Sequence, residues 1–314
     1  MRKASNTSMH RTSFLLAATL LLSITCGAAS QSKSPILLDT DIGTDIDDAF
    51  ALALILQSPE LDLVAVTTVS GDTQARARLA AKMLWEAGRT NVPVAAGEPG
   101  SSQPIDQARW AKGFTGPPLT SEKAVDLMKR EIERRPGELT IVAIGELTNV
   151  AALLKTNPSV GKKIKRIALM GGAVAHGYGQ DLKPVAEWNI KSNPAAAQVV
   201  FTSGIPILMA PLDSTTMLQL DAAARRRIFT HLTPTTNSLT ILYHLWGEDT
   251  PTLFDPMAVA MLIDPAICEL KELAIEVDAQ GFTRVVEGKP ANARVGMRTD
   301  PAKFFEFYLR RVAP

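Results

Sequence analysis

Short apolar runs alternate with longer amphipathic stretches along most of this chain, and this alternation limits the possible fold more than any other feature. The apolar runs lie at residues 36–38, 63–69, 140–144, 164–170 and 206–210, and the amphipathic stretches at 47–57, 73–87, 121–134, 149–155 and 194–201. Such an order predicts βαβ units. Runs that are apolar throughout predict strands covered by helices on both faces. We therefore expect an α/β fold with a mostly parallel central sheet.

The rest of the chain adds smaller elements to this core. Beyond residue 221 the pattern predicts helices near 239–246, 256–263 and 302–312, and a strand pair near 274–277 and 283–286. Residues 97–116 are rich in glycine, proline and serine, which predicts a loop long enough to cover a site. The sequence contains no internal repeat and no long low-complexity linker, so residues 30–314 are expected to form one domain.

Residues 1–29 are typical of a secretory signal peptide. Basic residues precede an apolar run at 14–24, and small residues surround Cys26. The apolar run is shorter than the roughly 20 residues that a membrane span needs. We expect export to the periplasm or the exterior, with no stable transmembrane span in the mature protein. An uncleaved anchor and lipid attachment at Cys26 are the alternatives.

Composition excludes several classes of protein. The chain has 314 residues, of which 33 are Lys or Arg and 32 are Asp or Glu, for a net charge of +1. A nucleic-acid-binding protein usually carries a strong positive excess, so no nucleic-acid polymer is expected as a partner. The 46 % hydrophobic content argues against disorder. Without the N-terminal segment only Cys268 remains, so no internal disulfide is possible, and its apolar surroundings predict a small core residue.

Five aspartates lie within ten residues of one another, directly after the first apolar run: Asp39, Asp41, Asp45, Asp47 and Asp48. At about 5 Å and an effective dielectric constant of about 20, each pair of like charges costs about 3 kcal/mol. A hard divalent cation relieves such repulsion, because it binds several oxygen ligands. Capping of the following helix explains one or two of these acids but not all five. The cluster therefore predicts a metal site.

Two other motifs that begin with closely spaced aspartates do not match. Counted from Asp39, an EF-hand loop requires glycine at its sixth position and an acid at its twelfth, where Thr44 and Phe50 stand. Phosphatases of the haloacid dehalogenase type have Thr or Val four residues after the first Asp, where this chain has Gly43. A metal-dependent phosphatase is therefore the weaker interpretation.

The segment DTDIGTDIDDA at residues 39–49 resembles the N-terminal signature of the inosine–uridine nucleoside hydrolase family. Four further segments resemble that family's motifs in the same order: GELTN at 145–149, MGG at 170–172, PVAEWN at 184–189 and FDP at 254–256. Each motif alone is weak, but the ordered set covers nearly the whole chain after the N-terminal segment. The resemblance implies a Rossmann-like nucleoside hydrolase fold and a dimer or tetramer.

The resemblance also implies a reaction, which is hydrolysis of the N-glycosidic bond of a ribonucleoside to free base and ribose. Such reactions pass through an oxocarbenium-like ribosyl cation. Calcium would be held by Asp41, Asp48, the Thr148 carbonyl and Asp255, and would bind the 2′- and 3′-hydroxyls and the attacking water. Asp41 would accept the proton of that water as general base. Helix capping is the simpler alternative for Thr148 and Asp255.

Further residues are implied as substrate contacts, namely Asp47, Asp72, Met170, Glu187, Trp188 and Asn189. Asp47, Glu187 and Asn189 would hydrogen-bond the ribose hydroxyls and reject a sugar that lacks one. The spacing between Asp41 and Asp47 is two residues longer than in the best-known members, so Asp45 is an alternative to Asp47. Asp72 replaces a family asparagine, and Asp181 corresponds to a second one.

The leaving-group acid is the part that the resemblance does not supply. Many members have histidine where this chain has Phe254, and WAKG at residues 110–113 replaces a loop that carries histidine in some members. The remaining candidates are His176, Tyr243, His244 and Trp246. Base preference therefore stays open. These departures also leave a second function open, a nucleoside- or sugar-binding protein that keeps the metal site without turnover.

Overall fold

The computed structural model describes residues 33–100, 104–179 and 183–314, together with Met1 and Ala4. The predicted signal peptide at 1–29, apart from those two residues, and Asp181 thus lie outside the described residues. The strands are β1 (Ser34–Thr40), β2 (Leu61–Thr68), β3 (Val94–Ala96), β4 (Thr140–Ala143), β5 (Arg166–Met170), β6 (Ile207–Ala210), β7 (Cys268–Leu273), β8 (Ile275–Val277), β9 (Thr283–Val285) and β10 (Ala293–Thr299).

The helices lie mainly between successive strands. They are α1 (Asp47–Leu56), α2 (Thr73–Glu86), α3 (Ala124–Arg134), α4 (Thr148–Thr156), α5 (Pro158–Gly161), α6 (Trp188–Lys191), α7 (Pro194–Phe201), α8 (Leu212–Thr215), α9 (Ala222–Phe229), α10 (Pro234–Trp246), α11 (Phe254–Ile263) and α12 (Pro301–Val312). Two 3₁₀ turns occupy Asp106–Ala111 and Pro265–Ile267.

The main sheet has eight strands in the order β3-β2-β1-β4-β5-β6-β10-β7. All neighbouring pairs are parallel except β10 and β7, which are antiparallel. Strands β8 and β9 form a separate antiparallel pair. The predicted mostly parallel, Rossmann-like α/β sheet is confirmed. The chain proceeds from β1 outward in one direction through β2 and β3, and in the other direction from β4 through β6, so the order reverses between β1 and β4.

Both faces of the sheet are covered, as the continuous apolar strands predict. Alternate side chains of β1 enter different cores because successive residues of a strand point to opposite faces. Leu38 packs in a core with α1 and α11, and Leu37 packs in a second core with α3, α4 and α7. The sheet is therefore rigid at the strand ends where functional loops begin.

Several elements differ from the sequence prediction. Strand β3 has only three residues, too few to give a pattern. Strands β7 and β10 were not predicted because charged residues interrupt them, as is usual near the edge of a sheet. The predicted loop at 97–116 contains the turn Asp106–Ala111, and Gln107 within it is buried. Cys268 is buried and free, as predicted.

Residues Ser32–Pro314 form one compact unit. Of the other unit, Met1–Gln31, only Met1 and Ala4 are among the described residues. Among the helices that are described, none has the length and apolar character needed to cross a membrane.

Candidate active site

The candidate site lies where the strand order reverses. In open α/β sheets, ligands bind outside the carboxyl ends of the strands at such a point. Asp41 directly follows β1, and Ile144 directly follows the adjacent β4. A cavity of about 310 Å³ opens here, lined by Asp41, Thr44, Asp45, Asp47, Asp48, Ile144, Met170, Tyr178, Glu187, Trp188, Asn189, Phe254 and Asp255.

Three buried carboxylates meet at one side of this cavity, and we call Asp47, Asp48 and Asp255 the acidic trio. Each offers an oxygen, and these three oxygens all lie within 4.8 Å of one another. The first two belong to the first turn of α1 and the third to the first turn of α11. The Asp255 N–H donates to Asp47 over 3.3 Å, which links the two helix starts.

The trio is electrostatically unfavourable as three anions. Burial, followed by repulsion from the neighbouring aspartates, raises the pKa of Asp47 and of Asp255 well above its usual value. The pKa of Asp48 is raised for the same reasons, although Thr40 donates a hydrogen bond to it. Three close carboxylates are a suitable donor set for a hard divalent cation, which would remove the repulsion. The donor set thus fits the predicted metal, without specifying which one.

Asp41 lines the same cavity but is not part of the acidic trio. Burial raises its pKa to about 6, and the nearby Arg76 guanidinium acts in the opposite direction. The backbone just after β4 approaches it closely. A Cβ atom placed on Gly145 would lie 2.9 Å from Asp41 Oδ1 and 3.0 Å from its backbone nitrogen. Glycine at 145 therefore gives the Asp41 carboxylate its space.

Asp39 lies behind the cavity and does not line it. Thr67 donates to its Oδ1 over 2.7 Å and Asn149 over 2.8 Å, while Oδ2 is buried without a partner in the described residues. Burial raises the pKa of Asp39 to about 7. Asp39 is therefore the one aspartate of the sequence cluster that supports the site from the buried interior and does not line the cavity.

Glu187 and Asn189 hold the opposite wall together. Glu187 caps α6 and accepts N–H bonds from Gly172, Asn189 and Ile190, at 2.8, 3.0 and 3.3 Å. Burial raises its pKa to about 7. The Asn189 amide nitrogen donates over 3.1 Å to the backbone carbonyls of Ile144 and Met170. Both predicted sugar contacts line the cavity, as does Trp188, which is 49 % exposed.

Two predicted site residues have other contacts. The Thr148 hydroxyl donates to Glu146 over 3.1 Å and accepts from Asn193 over 2.9 Å, and Thr148 is the first residue of α4. Asp72 is exposed and caps α2 by accepting the Ala75 N–H at 2.9 Å. Neither is among the residues that line the cavity.

The leaving-group candidates are mostly outside the cavity lining. Tyr243 donates its hydroxyl proton to the Asp249 carbonyl over 2.7 Å, and His244 packs against the Tyr243 ring. The side chain of Trp246 reaches the Asp45 carboxyl, which lines the cavity. Desolvation raises the pKa of Asp45, and the hydrogen bond from Trp246 acts in the opposite direction. His176 is half-buried, with Nδ1 3.9 Å from the Asp213 carboxylate.

Sequence reasoning missed three of the residues that line the cavity, Thr44, Ile144 and Tyr178, and Tyr178 is the largest of them. Its hydroxyl accepts the Trp188 N–H at 3.0 Å, and its ring packs edge-to-face on Phe254 with centroids 6.2 Å apart. Burial, and then the nearby Glu187, raises the pKa of the phenol, which stays protonated. The only signal was an aromatic residue between two glycines in the loop after β5.

The family model for the inosine-uridine preferring nucleoside hydrolase matches residues 36–306 of this chain. The pyrimidine-specific ribonucleoside hydrolase RihA of Citrobacter koseri is 36 % identical over 313 residues, which cover 89 % of this chain and 98 % of that protein.

Solved structures of the same kind superpose well. A plant nucleoside hydrolase gives a TM-score of 0.76 at 28 % identity, covering 90 % of this chain and 99 % of its own. The purine-preferring ribonucleoside hydrolase from Gardnerella vaginalis gives a TM-score of 0.76 at 25 % identity, covering 89 % and 98 %. The names of the Citrobacter koseri and Gardnerella vaginalis proteins specify different bases, pyrimidines for the first and purines for the second.

Proposed function

The chain belongs to the inosine-uridine preferring nucleoside hydrolase family, whose members here are N-ribosyl hydrolases, and on that premise we propose that its cavity hydrolyses ribonucleosides to free base and ribose with calcium as cofactor. One observation carries the proposal. The structure brings a buried acidic trio and Asp41 into a single cavity at the reversal point of the sheet. That arrangement supplies both a cation site and a separate carboxylate for proton transfer.

The acidic trio would hold the cation, with Asp41 beside it. The Thr148 carbonyl, implied as a ligand by the family resemblance, remains a prediction. A bound calcium ion would supply charge neutralisation, orientation of the vicinal ribose hydroxyls and a lower pKa for water. The all-oxygen donor set suits hard cations in general, and calcium is proposed among them because the family resemblance implies it.

Asp41 acts as the general base in this proposal. It accepts one proton from the attacking water as the water oxygen bonds to C1′ of the ribose, and the C1′–N bond breaks with its electron pair leaving on the nucleobase. The nucleobase takes up a proton from solvent and Asp41 releases its proton to solvent, which gives neutral base and ribose and restores the carboxylate. A carboxylate whose pKa is about 6 is largely ionised at neutral pH and still basic enough to accept a proton.

The opposite wall fixes the sugar. Glu187 and Asn189 hold the ends of β4 and β5 through hydrogen bonds to backbone groups, so their remaining oxygen lone pairs are presented in fixed positions. Such groups hydrogen-bond ribose hydroxyls and are left unpaired by a deoxy sugar, which is then rejected. Tyr178 and Phe254 give the remaining wall an aromatic surface.

The experiment is a nucleoside panel. Purified protein with calcium is mixed with uridine, cytidine, inosine, adenosine and their 2′-deoxy counterparts, and both free base and reducing sugar are measured. The pyrimidine specificity named for the RihA relative makes uridine and cytidine the first substrates to test. Release of base and ribose in equal amounts supports the proposal. Tight nucleoside binding without any release over hours would support the binding-protein alternative instead.

We also propose that residues 1–29 are removed on export, on the basis of the signal-like sequence pattern. Sequencing the N-terminus of the mature protein from its native cell tests this. A terminus near residue 30 supports simple cleavage. A diacylglyceryl-modified Cys26 at the terminus would support lipid attachment, and an intact N-terminus would contradict both.

A further inference from the structure

Arg76 is a buried cation whose two Nη groups both donate to the segment that contains the acidic cluster. The residue is 3 % exposed and lies in the first turn of α2. Its Nη1 donates to the backbone carbonyls of Asp41 and of Ile42, the latter over 3.0 Å. Its Nη2 donates to the Thr44 hydroxyl and its Nε to the Ser70 carbonyl, each over 2.8 Å. All four acceptors are neutral groups.

This position is unfavourable for an arginine considered alone. A cation near a helix N-terminus is opposed by the helix dipole. Burying a charge costs on the order of several kcal/mol unless partners compensate it. The compensation here is the field of the acidic cluster, since Arg76 lowers the pKa of both Asp41 and Asp48. Its place in the fold therefore depends on the site.

The segment that Arg76 contacts is residues 41–46, which joins β1 to α1, and we call it the acidic loop. Ile42 and Ile46 are fully buried and anchor it in the core. Gln107, from the turn Asp106–Ala111, donates over 2.7 Å to the Asp45 carbonyl. Arg76 thus fixes the first half of the loop and Gln107 the second half.

We propose that Arg76 is a positioning residue for the reaction, which holds the backbone carbonyls of Asp41 and Ile42 and the Thr44 hydroxyl so that the Asp41 carboxylate keeps its orientation in the cavity. The inference rests on the proposed function and deepens it. The planar guanidinium matters because its fork reaches four acceptors in fixed directions, which a lysine ammonium cannot do. Arg76 does not touch substrate, since it is not among the residues lining the cavity.

The proposal predicts a particular kinetic pattern. Misplacing a catalytic group by about 1 Å can cost on the order of 100-fold in rate. Arg76→Gln should therefore lower kcat by about 10- to 100-fold while KM changes by less than about 3-fold, because the sugar contacts lie on other loops. Arg76→Lys keeps the positive charge but not the forked guanidinium, so its kcat should lie between those of Arg76→Gln and wild type.

Amide hydrogen exchange on the metal-free protein gives a second readout that does not depend on activity. Arg76→Gln should speed exchange in the acidic loop and leave the strands of the main sheet unchanged. Arg78→Gln is the matched control, because Arg78 lies on the same helix and lines a different surface cavity. That control should match wild type in both kinetics and exchange.

The outcomes separate this proposal from the proposed function. If Arg76→Gln is folded and keeps kcat and loop exchange within about 2-fold of wild type, the positioning role is wrong. A lower melting temperature with unchanged kcat per folded molecule would also overturn it, as a purely structural role. If Arg76→Gln does not fold, wild-type kcat and exchange in Arg76→Lys would overturn it. If the wild type hydrolyses no nucleoside, the proposed function fails, and unchanged loop exchange in Arg76→Gln would overturn the positioning role independently.

Discussion

Asp41 is the residue on which the proposed chemistry depends most directly. It lines the cavity beside the acidic trio. Among the described carboxylates, only Asp41 both lies against Gly145 and has a backbone carbonyl that accepts a hydrogen bond from Arg76. Its position immediately after β1 places it on rigid structure, and this is where a general base is best held.

Asp41→Asn should lower kcat by about 10²- to 10⁴-fold, because an amide cannot accept the water proton. The substitution keeps the size of the side chain, so the melting temperature should stay near that of wild type. Steady-state kinetics with uridine or inosine, together with a thermal melt, measures both. Turnover near the wild-type level in a folded variant would remove Asp41 from the base role.

The pH dependence of turnover also follows from Asp41. Burial raises the pKa of Asp41 to about 6, so acidification below that value protonates the base. A bound cation would favour the ionised form and move the transition lower. We therefore expect kcat/KM to fall with decreasing pH at or below about pH 6. A profile that rises on acidification through this range would contradict the assignment.

The residues foreseen from sequence and those missed differ in a physical way. Asp48 and Asp255 were predicted as metal ligands from the family motifs that contain them, whereas Asp47 was predicted as a sugar contact and lies with them in the acidic trio. Arg76 and Tyr178 were not predicted, because each acts through partners distant in sequence that only the fold brings near. Asp72 was expected at the substrate and instead caps α2, since a carboxylate before a helix serves either purpose.

At the scale of elements, the site depends on how closely the ends of β1 and β4 approach. Gly145→Ala would add a methyl group 2.8 Å from Val69 and 2.9 Å from the Asp41 carboxylate. We expect kcat to fall by about 10- to 100-fold, because the carboxylate must move to make room. Gly116→Ala, where the methyl would meet only the Phe114 ring, is the control. Equal kinetics for the two variants would contradict the tight approach.

In the main sheet, the strands that sequence predicted are those covered on both faces, whose runs are largely apolar. The strands it did not predict lie at the sheet ends. β3 is stabilised by only three register pairs with β2, and β7 carries Glu269, Lys271 and Glu272 along an exposed edge. Tertiary pairing rather than local pattern determines such strands, and they lie away from the cavity.

For the whole molecule, the buried acids predict an unusual dependence of stability on pH. Burial raises the pKa of Asp39 and of Glu187 to about 7, above the ordinary values of 3.8 and 4.5. The folded protein therefore binds more protons than the unfolded chain between about pH 4 and pH 7. The contribution of this proton binding to the free energy of unfolding is complete below the pKa values of the unfolded chain. It is lost as pH rises through the pKa values of the folded protein.

Melting temperatures measured after chelation, from pH 5 to pH 8, should thus decrease as pH rises. Calcium should increase the melting temperature, and more at pH 8 than at pH 5, because the cation binds the ionised acidic trio and not the protonated one. Sodium at matched ionic strength is the control. A calcium effect that is absent, or that is larger at pH 5, would contradict a cation site formed by the trio.

In the proposed reaction, a cation held by the acidic trio enables Asp41 and the cavity to hydrolyse ribonucleosides. The most direct measurement is the rate of base release from uridine by chelator-treated protein as calcium is added back. We predict turnover that is absent without calcium, rises to saturation with calcium, and is lost in Asp255→Asn at the same calcium concentrations. Full turnover in the presence of excess chelator, or wild-type calcium dependence in Asp255→Asn, would contradict the claim.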